Sequence, residues 1–117
     1  MIELTEPMAT AAVRWLSEAE GGRRSGPPTA PVYAATAAFP SPAVTSQDSV
    51  ELELLSVLVQ RIAALPDGRD LANIGFLVPE LARPRLHTAA EFVITEGLRT
   101  VARAEVRELF PPTEPDV

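Results

Sequence analysis

An all-β sandwich or barrel is the fold class this sequence predicts, and three observations predict it. Apolar and polar residues alternate in several short runs, the period of a strand with one buried face. Segments rich in glycine and proline separate those runs, where a β-rich chain can reverse. Two of the runs, Glu91–Thr95 and Leu98–Leu109, meet across Glu96-Gly97 and read as a hairpin.

Taken in order, residues 1–8 form a leader with one proline and no periodic pattern. Ala9 to Leu16 reads as a strand, with Ala11, Val13 and Trp15 on one face and Arg14 on the other. Glu20-Gly21-Gly22-Arg23-Arg24-Ser25-Gly26-Pro27-Pro28 is a loop, and Val32 to Phe39 is an alanine-heavy second strand. Pro40 to Asp48 is a further loop.

Val50 to Leu65 supports two readings. Leu54, Leu58, Ile62 and Leu65 have helical spacing, with Asp48 and Glu51 placed for a capping box. The other reading is two short strands, Val50–Leu55 and Gln60–Leu65. Pro66-Asp67-Gly68 is a turn. Leu71 to Val78 is a strand carrying Ala72, Ile74, Phe76 and Val78 on one face, ended by Pro79. Ala82 to Leu86 is a connection. In the second arm of the hairpin Ala102, Ala104 and Val106 alternate with Arg103, Glu105 and Arg107, one buried face and one solvated face. Residues 111–117 are an acidic, proline-rich tail expected to be disordered.

Composition narrows function by exclusion. With 117 residues the chain is sized for one domain. It has no cysteine, so neither disulfides nor thiolate chemistry are open to it, and its start lacks the order of a signal peptide. The cytoplasm is the expected compartment, with no membrane attachment. Sixteen acidic residues against ten basic ones give a net charge of −6, which disfavours indiscriminate binding of nucleic acid. All ten basic residues are arginine, so no lysine is present to bind phosphate or form a Schiff base.

Two segments carry a resemblance to a known family. Ala9-Thr10-Ala11-Ala12-Val13-Arg14-Trp15-Leu16-Ser17-Glu18-Ala19-Glu20-Gly21-Gly22-Arg23 resembles the first strand and following loop of the C-terminal domain of elongation factor Tu. Phe92-Val93-Ile94-Thr95-Glu96-Gly97-Leu98-Arg99-Thr100-Val101 resembles the last hairpin of that domain. Leu65-Pro66-Asp67-Gly68 and Phe76-Leu77-Val78-Pro79 fall in the right order between them. The resemblance covers roughly residues 9–109. It implies a closed antiparallel β-barrel of six strands across residues 9–110 and favours strands for Val50–Leu65, where local propensity favours a helix; any short helix is expected to be confined to that segment. It also implies a non-catalytic role, since the family domain helps hold aminoacyl-tRNA and docks on protein partners. Glu96 and Gly97 correspond to residues at the tRNA surface of that family. The sequence departs from the pattern as well. The family glutamine that touches tRNA is replaced by Ala34, and family glycines are replaced by Leu98, Ala102 and Ala104.

The candidate macromolecule-binding residues are therefore Arg23, Arg24, Glu96, Gly97 and Arg99. Along a regular strand Arg99, Arg103 and Arg107 would share one face, which with Arg23 and Arg24 would make a basic stripe; Glu96, Glu105 and Glu108 interrupt it into a mixed-charge surface. Trp15 and Phe92, aromatic rings of the kind that stack on bases, lie in alternating strands and read as core. The Gly21–Gly26 loop opens no evident helix, so it reads as a solvated loop and not a phosphate cradle. His87, the single histidine, lies in a connection between prolines and reads as a surface residue. No catalytic, metal or cofactor site emerges from the residue pattern.

The expected function is a non-catalytic module that binds a protein or RNA component related to translation, with a protein partner ahead of tRNA. An interaction or decoy module unrelated to translation is the alternative, and an unrecognised enzyme ranks last. GTP binding is not expected, because neither the phosphate loop nor a lysine-dependent guanine motif can be built without lysine. Calorimetry with magnesium and GTP should give no specific heat of binding.

Overall fold

The computed structural model describes residues 4, 6–24, 26–40 and 52–111. Its strands are β1 (Ala9–Trp15), β2 (Tyr33–Pro40), β3 (Leu52–Ala64), β4 (Asp70–Phe76), β5 (Glu91–Glu96) and β6 (Arg99–Leu109). They close into one antiparallel barrel in the order β1-β4-β3-β2-β5-β6. A short helix, α1 (Pro79–Ala82), continues as a 3₁₀ turn at Arg83–Arg85. The loop after Pro40, the Asp48/Glu51 cap and the tail after Pro111 lie outside the described residues. Among those described, no helix is long and apolar enough to cross a membrane.

The interior selects small and β-branched side chains. Val13, Val57, Val59, Ile74, Ile94, Val101 and Val106 are fully buried, and Ala9, Ala11, Ala37, Ala72, Ala102 and Ala104 fill the space between them. A small barrel has room for little else along its axis. That explains why the alanine-heavy segment forms a full strand: Ala37 is in the core and Ala38 is closed off on the outer wall. Towards one end the bore is filled by Phe39, Phe76 and Phe92, with ring centroids 4.8–6.4 Å apart.

Residues 52–64 form one strand, neither a helix nor two strands. Leu55, Val57 and Val59 face inward while Leu54 and Leu58 face outward, so both faces carry apolar residues and the spacing mimics a helix. Pairing along both edges, with β2 and β4, overrides the local helical preference. Leu58 is buried on the outer wall beside Gly75, where Leu4 lies so close that a Cβ on Gly75 would collide with it. Upstream of β1, Met8 is in the core, its N–H donating to the Ile74 carbonyl at 2.8 Å.

The short helix stands elsewhere than the sequence reading placed it. β4 ends at Phe76, Val78 is exposed, and Pro79 takes the first helical turn, where its fixed φ and missing N–H cost nothing. The last hairpin also closes one residue later than expected. Glu96 pairs with Arg99, so the two-residue loop is Gly97-Leu98. Gly97 has φ +60° and Leu98 keeps negative φ, the pattern of a type II′ turn.

Replacing Gly97 by valine forces a β-branched residue into positive φ. A loss of about 1–3 kcal/mol is expected from strain of this kind. An unchanged urea midpoint would show that this turn is not under that constraint.

Candidate macromolecule-binding surface

One mouth of the barrel lies where β1, β3 and β5 end and β2, β4 and β6 begin. The loop leaving β1 folds over this mouth, and its course is locally determined. Ser17 Oγ accepts from the Glu20 N–H at 3.3 Å, and Glu20 Oε1 accepts from the Ser17 N–H at 2.9 Å, a closed capping box on a 3₁₀ turn. Gly22 turns back against the Leu16 carbonyl, where a Cβ would collide with it.

This loop meets the hairpin through Arg23. Its Nε donates to Glu96 Oε2 at 2.9 Å and its Nη1 to the Gly26 carbonyl at 2.8 Å. The guanidinium also sits 5.5 Å from the centroid of the Tyr33 ring. The Tyr33 hydroxyl donates to the same Glu96 oxygen. Burial, and then this bond to Glu96, raise the Tyr33 phenol above its ordinary range, so it stays protonated and donating. Arg99 Nη1 donates to the Gly22 carbonyl at 3.4 Å. Beneath them Trp15 and Tyr33 meet edge to face at 5.7 Å, joining strands that are not barrel neighbours. Asp70, nearly buried, accepts from Trp15 Nε1 at 2.9 Å and pairs with Arg61 at 2.6 Å.

Of the residues the sequence singled out, Arg23, Glu96, Gly97 and Arg99 are brought together at this mouth. Arg24 is exposed on the loop beside them and forms no ion pair among the described residues. Tyr33, Trp15, Asp70 and Arg61 belong to the same assembly, and sequence reasoning missed their joint role. Arg61 escaped notice because an extra residue, Ile62, shifts the pairing between β3 and β4.

The basic stripe does not form. Ile94 pairs with Ala102 but Thr95 pairs with Thr100, leaving Val101 as an extra residue on β6. Such a bulge reverses the side-chain alternation across it. Val101 and Ala102 are both buried, and Arg99 turns to the mouth while Arg103 and Arg107 stay on the outer wall. Arg107 lies 3.5 Å from Glu105, which also faces Arg69 at 3.5 Å. Phe92 is in the core, and His87 is exposed in the connection before β5. No group of three His, Asp or Glu among the described residues is placed to hold a metal ion.

What the mouth offers outward is thus a hairpin tied to the neighbouring loop through Arg23, Glu96 and Arg99, with Leu98 fully exposed at its tip. Compared with protein families, curated proteins and solved structures, the chain matches none of them.

The capping box gives the loop an acid signature. The Ser17 N–H, and then Arg14 at 2.6 Å, hold Glu20 well below its ordinary 4.5, at about 2. A depressed carboxylate stabilises the folded loop above its unfolded value and loses that contribution as pH falls to the folded one. Glu20→Gln should therefore flatten the fall in Tm between about pH 4.5 and 2. Parallel Tm profiles for the two proteins would mean the box does not hold the loop.

Proposed function

We propose that this chain is a non-catalytic binding module that engages a component of translation in the cytoplasm, a protein in preference to tRNA. The two end segments and the closed barrel support a likeness to the C-terminal domain of elongation factor Tu. The hairpin Glu96–Arg99 and the loop over the mouth form the docking surface in this reading.

One observation carries the preference for protein: Leu98 is fully exposed at the tip while Arg23 is committed to Glu96 and Gly26, and Arg99 to Gly22. An exposed apolar anchor on a rigid turn suits a protein pocket. Phosphate binding would draw on Arg24 and the remaining donors of Arg23 and Arg99, against the repulsion of a net charge of −6. Arg24 and the outer donors of Arg99 favour tRNA as the second reading.

Affinity capture from the source lysate, with wild type and Leu98→Asp in parallel, should retain a translation protein that the variant loses. Direct titration in about 0.15 M salt should give tRNA affinity no tighter than ~10⁻⁴–10⁻⁶ M. A submicromolar, aminoacylation-dependent tRNA complex, lost in Arg99→Glu, would reverse the assignment.

A further inference from the structure

The outer wall across β1, β6 and β5 carries a groove outside the hairpin and loop of the mouth. Its volume is about 370 Å³, within the range of small-ligand sites. The floor is apolar, formed by the nearly covered Ala12 and Ala38 and the half-buried Val93. Ala12 and Ala38 leave room that larger side chains would fill.

The rim is cationic on one side. Arg14 of β1 and Arg103 of β6 stand directly opposite each other in register, and Arg69 reaches in from the turn before β4. Like charges placed opposite across a strand pair are unfavourable unless something compensates them. Arg14 has Glu20 at 2.6 Å, and Arg69 has Asp67 at 2.7 Å and Glu105 at 3.5 Å. Arg103 forms no ion pair among the described residues. One guanidinium is therefore uncompensated, at the edge of an apolar floor, facing a second guanidinium that retains free donors.

We propose that this groove binds a small organic monoanion, its apolar body on Ala12, Ala38 and Val93 and its charged head on Arg103 and Arg14. The rest of the rim limits the charge the ligand can carry. Glu91 and Glu105 oppose each other one step along β5 and β6, so a dianion or a second acidic group is repelled. Apolar burial supplies most of the affinity and the guanidinium pair supplies selection for the anion.

Anilinonaphthalene sulfonate is a suitable probe, with uncharged phenyl-naphthylamine as its matched neutral body. Fluorescence titration of the folded protein should show saturable one-to-one binding of the sulfonate, with methyl shifts at Ala12, Ala38 and Val93 in NMR. The neutral probe should bind about tenfold more weakly, the scale of one charge-assisted hydrogen bond. Arg103→Gln should weaken the sulfonate by a similar factor, while Glu91→Gln should tighten it by removing a repelling carboxylate. Arg83→Gln, away from the groove, should change nothing. Equal affinity for the two probes, insensitivity to both Arg103→Gln and Glu91→Gln, or absence of saturable binding would each overturn the proposal.

Discussion

Closing six strands on themselves leaves a narrow bore that is filled largely by alanine and β-branched side chains, and the rest of the structure follows from that limit. Alanine and β-branched residues take the inward positions, and the aromatic rings collect towards the ends. Closure also removes exposed strand edges, so recognition must use loops, turns and the outer wall. The β2–β5 seam is the shortest, with only three paired positions, Thr36–Ala38 against Val93–Thr95. The outer groove lies beside that seam, where Ala38 and Val93 are neighbours.

The mouth covered by the loop after β1 is closed by polar groups together with the rings of Trp15 and Tyr33. Asp70 would be costly so close to the core without partners, and Trp15 and Arg61 supply them. No buried side-chain polar atom among the described residues lacks a hydrogen bond. The exposed ion pairs of this network contribute little stability individually. Their effect is positional, since Trp15, Tyr33 and Glu96 come from three different strands and are held in one geometry.

What was legible in the sequence were elements whose two faces differ. β1, β4 and the second arm of the hairpin from Ala102 onward carry an alternation that can be read, and the residues expected inward lie inward, apart from Val78 beyond the end of β4. β3 was ambiguous because Leu54 and Leu58 occupy its outer face, leaving no alternation to read. The short helix was missed because Pro79 served as a strand terminator in the reading, when the same residue also starts helices. At the site, Glu96 and Gly97 were legible only through the resemblance, and Arg23 and Arg99 were grouped through a stripe that does not form, since the contacts themselves join residues 73 and 77 positions apart. The stripe failed on one residue. The adjacent apolar pair Val101-Ala102 interrupts the alternation of β6, and it was the available sign of a bulge.

That bulge bears directly on recognition. A regular β6 would set Arg99 on the outer wall with Arg103, adding to the like-charge crowding already present between Arg103 and Arg14. Turned to the mouth instead, Arg99 ties the hairpin to the Gly22 carbonyl while Arg23 and Tyr33 hold Glu96 from the other side. Because the phenol of Tyr33 keeps its proton well beyond neutral pH, Glu96 is held throughout the physiological range. A ligand that recruited the Glu96 carboxylate would find Oε2 already accepting from Arg23 and Tyr33, and would have to use Oε1 or displace one of them. One that takes Leu98 breaks neither contact and meets a turn already fixed in shape, so little ordering entropy opposes the encounter.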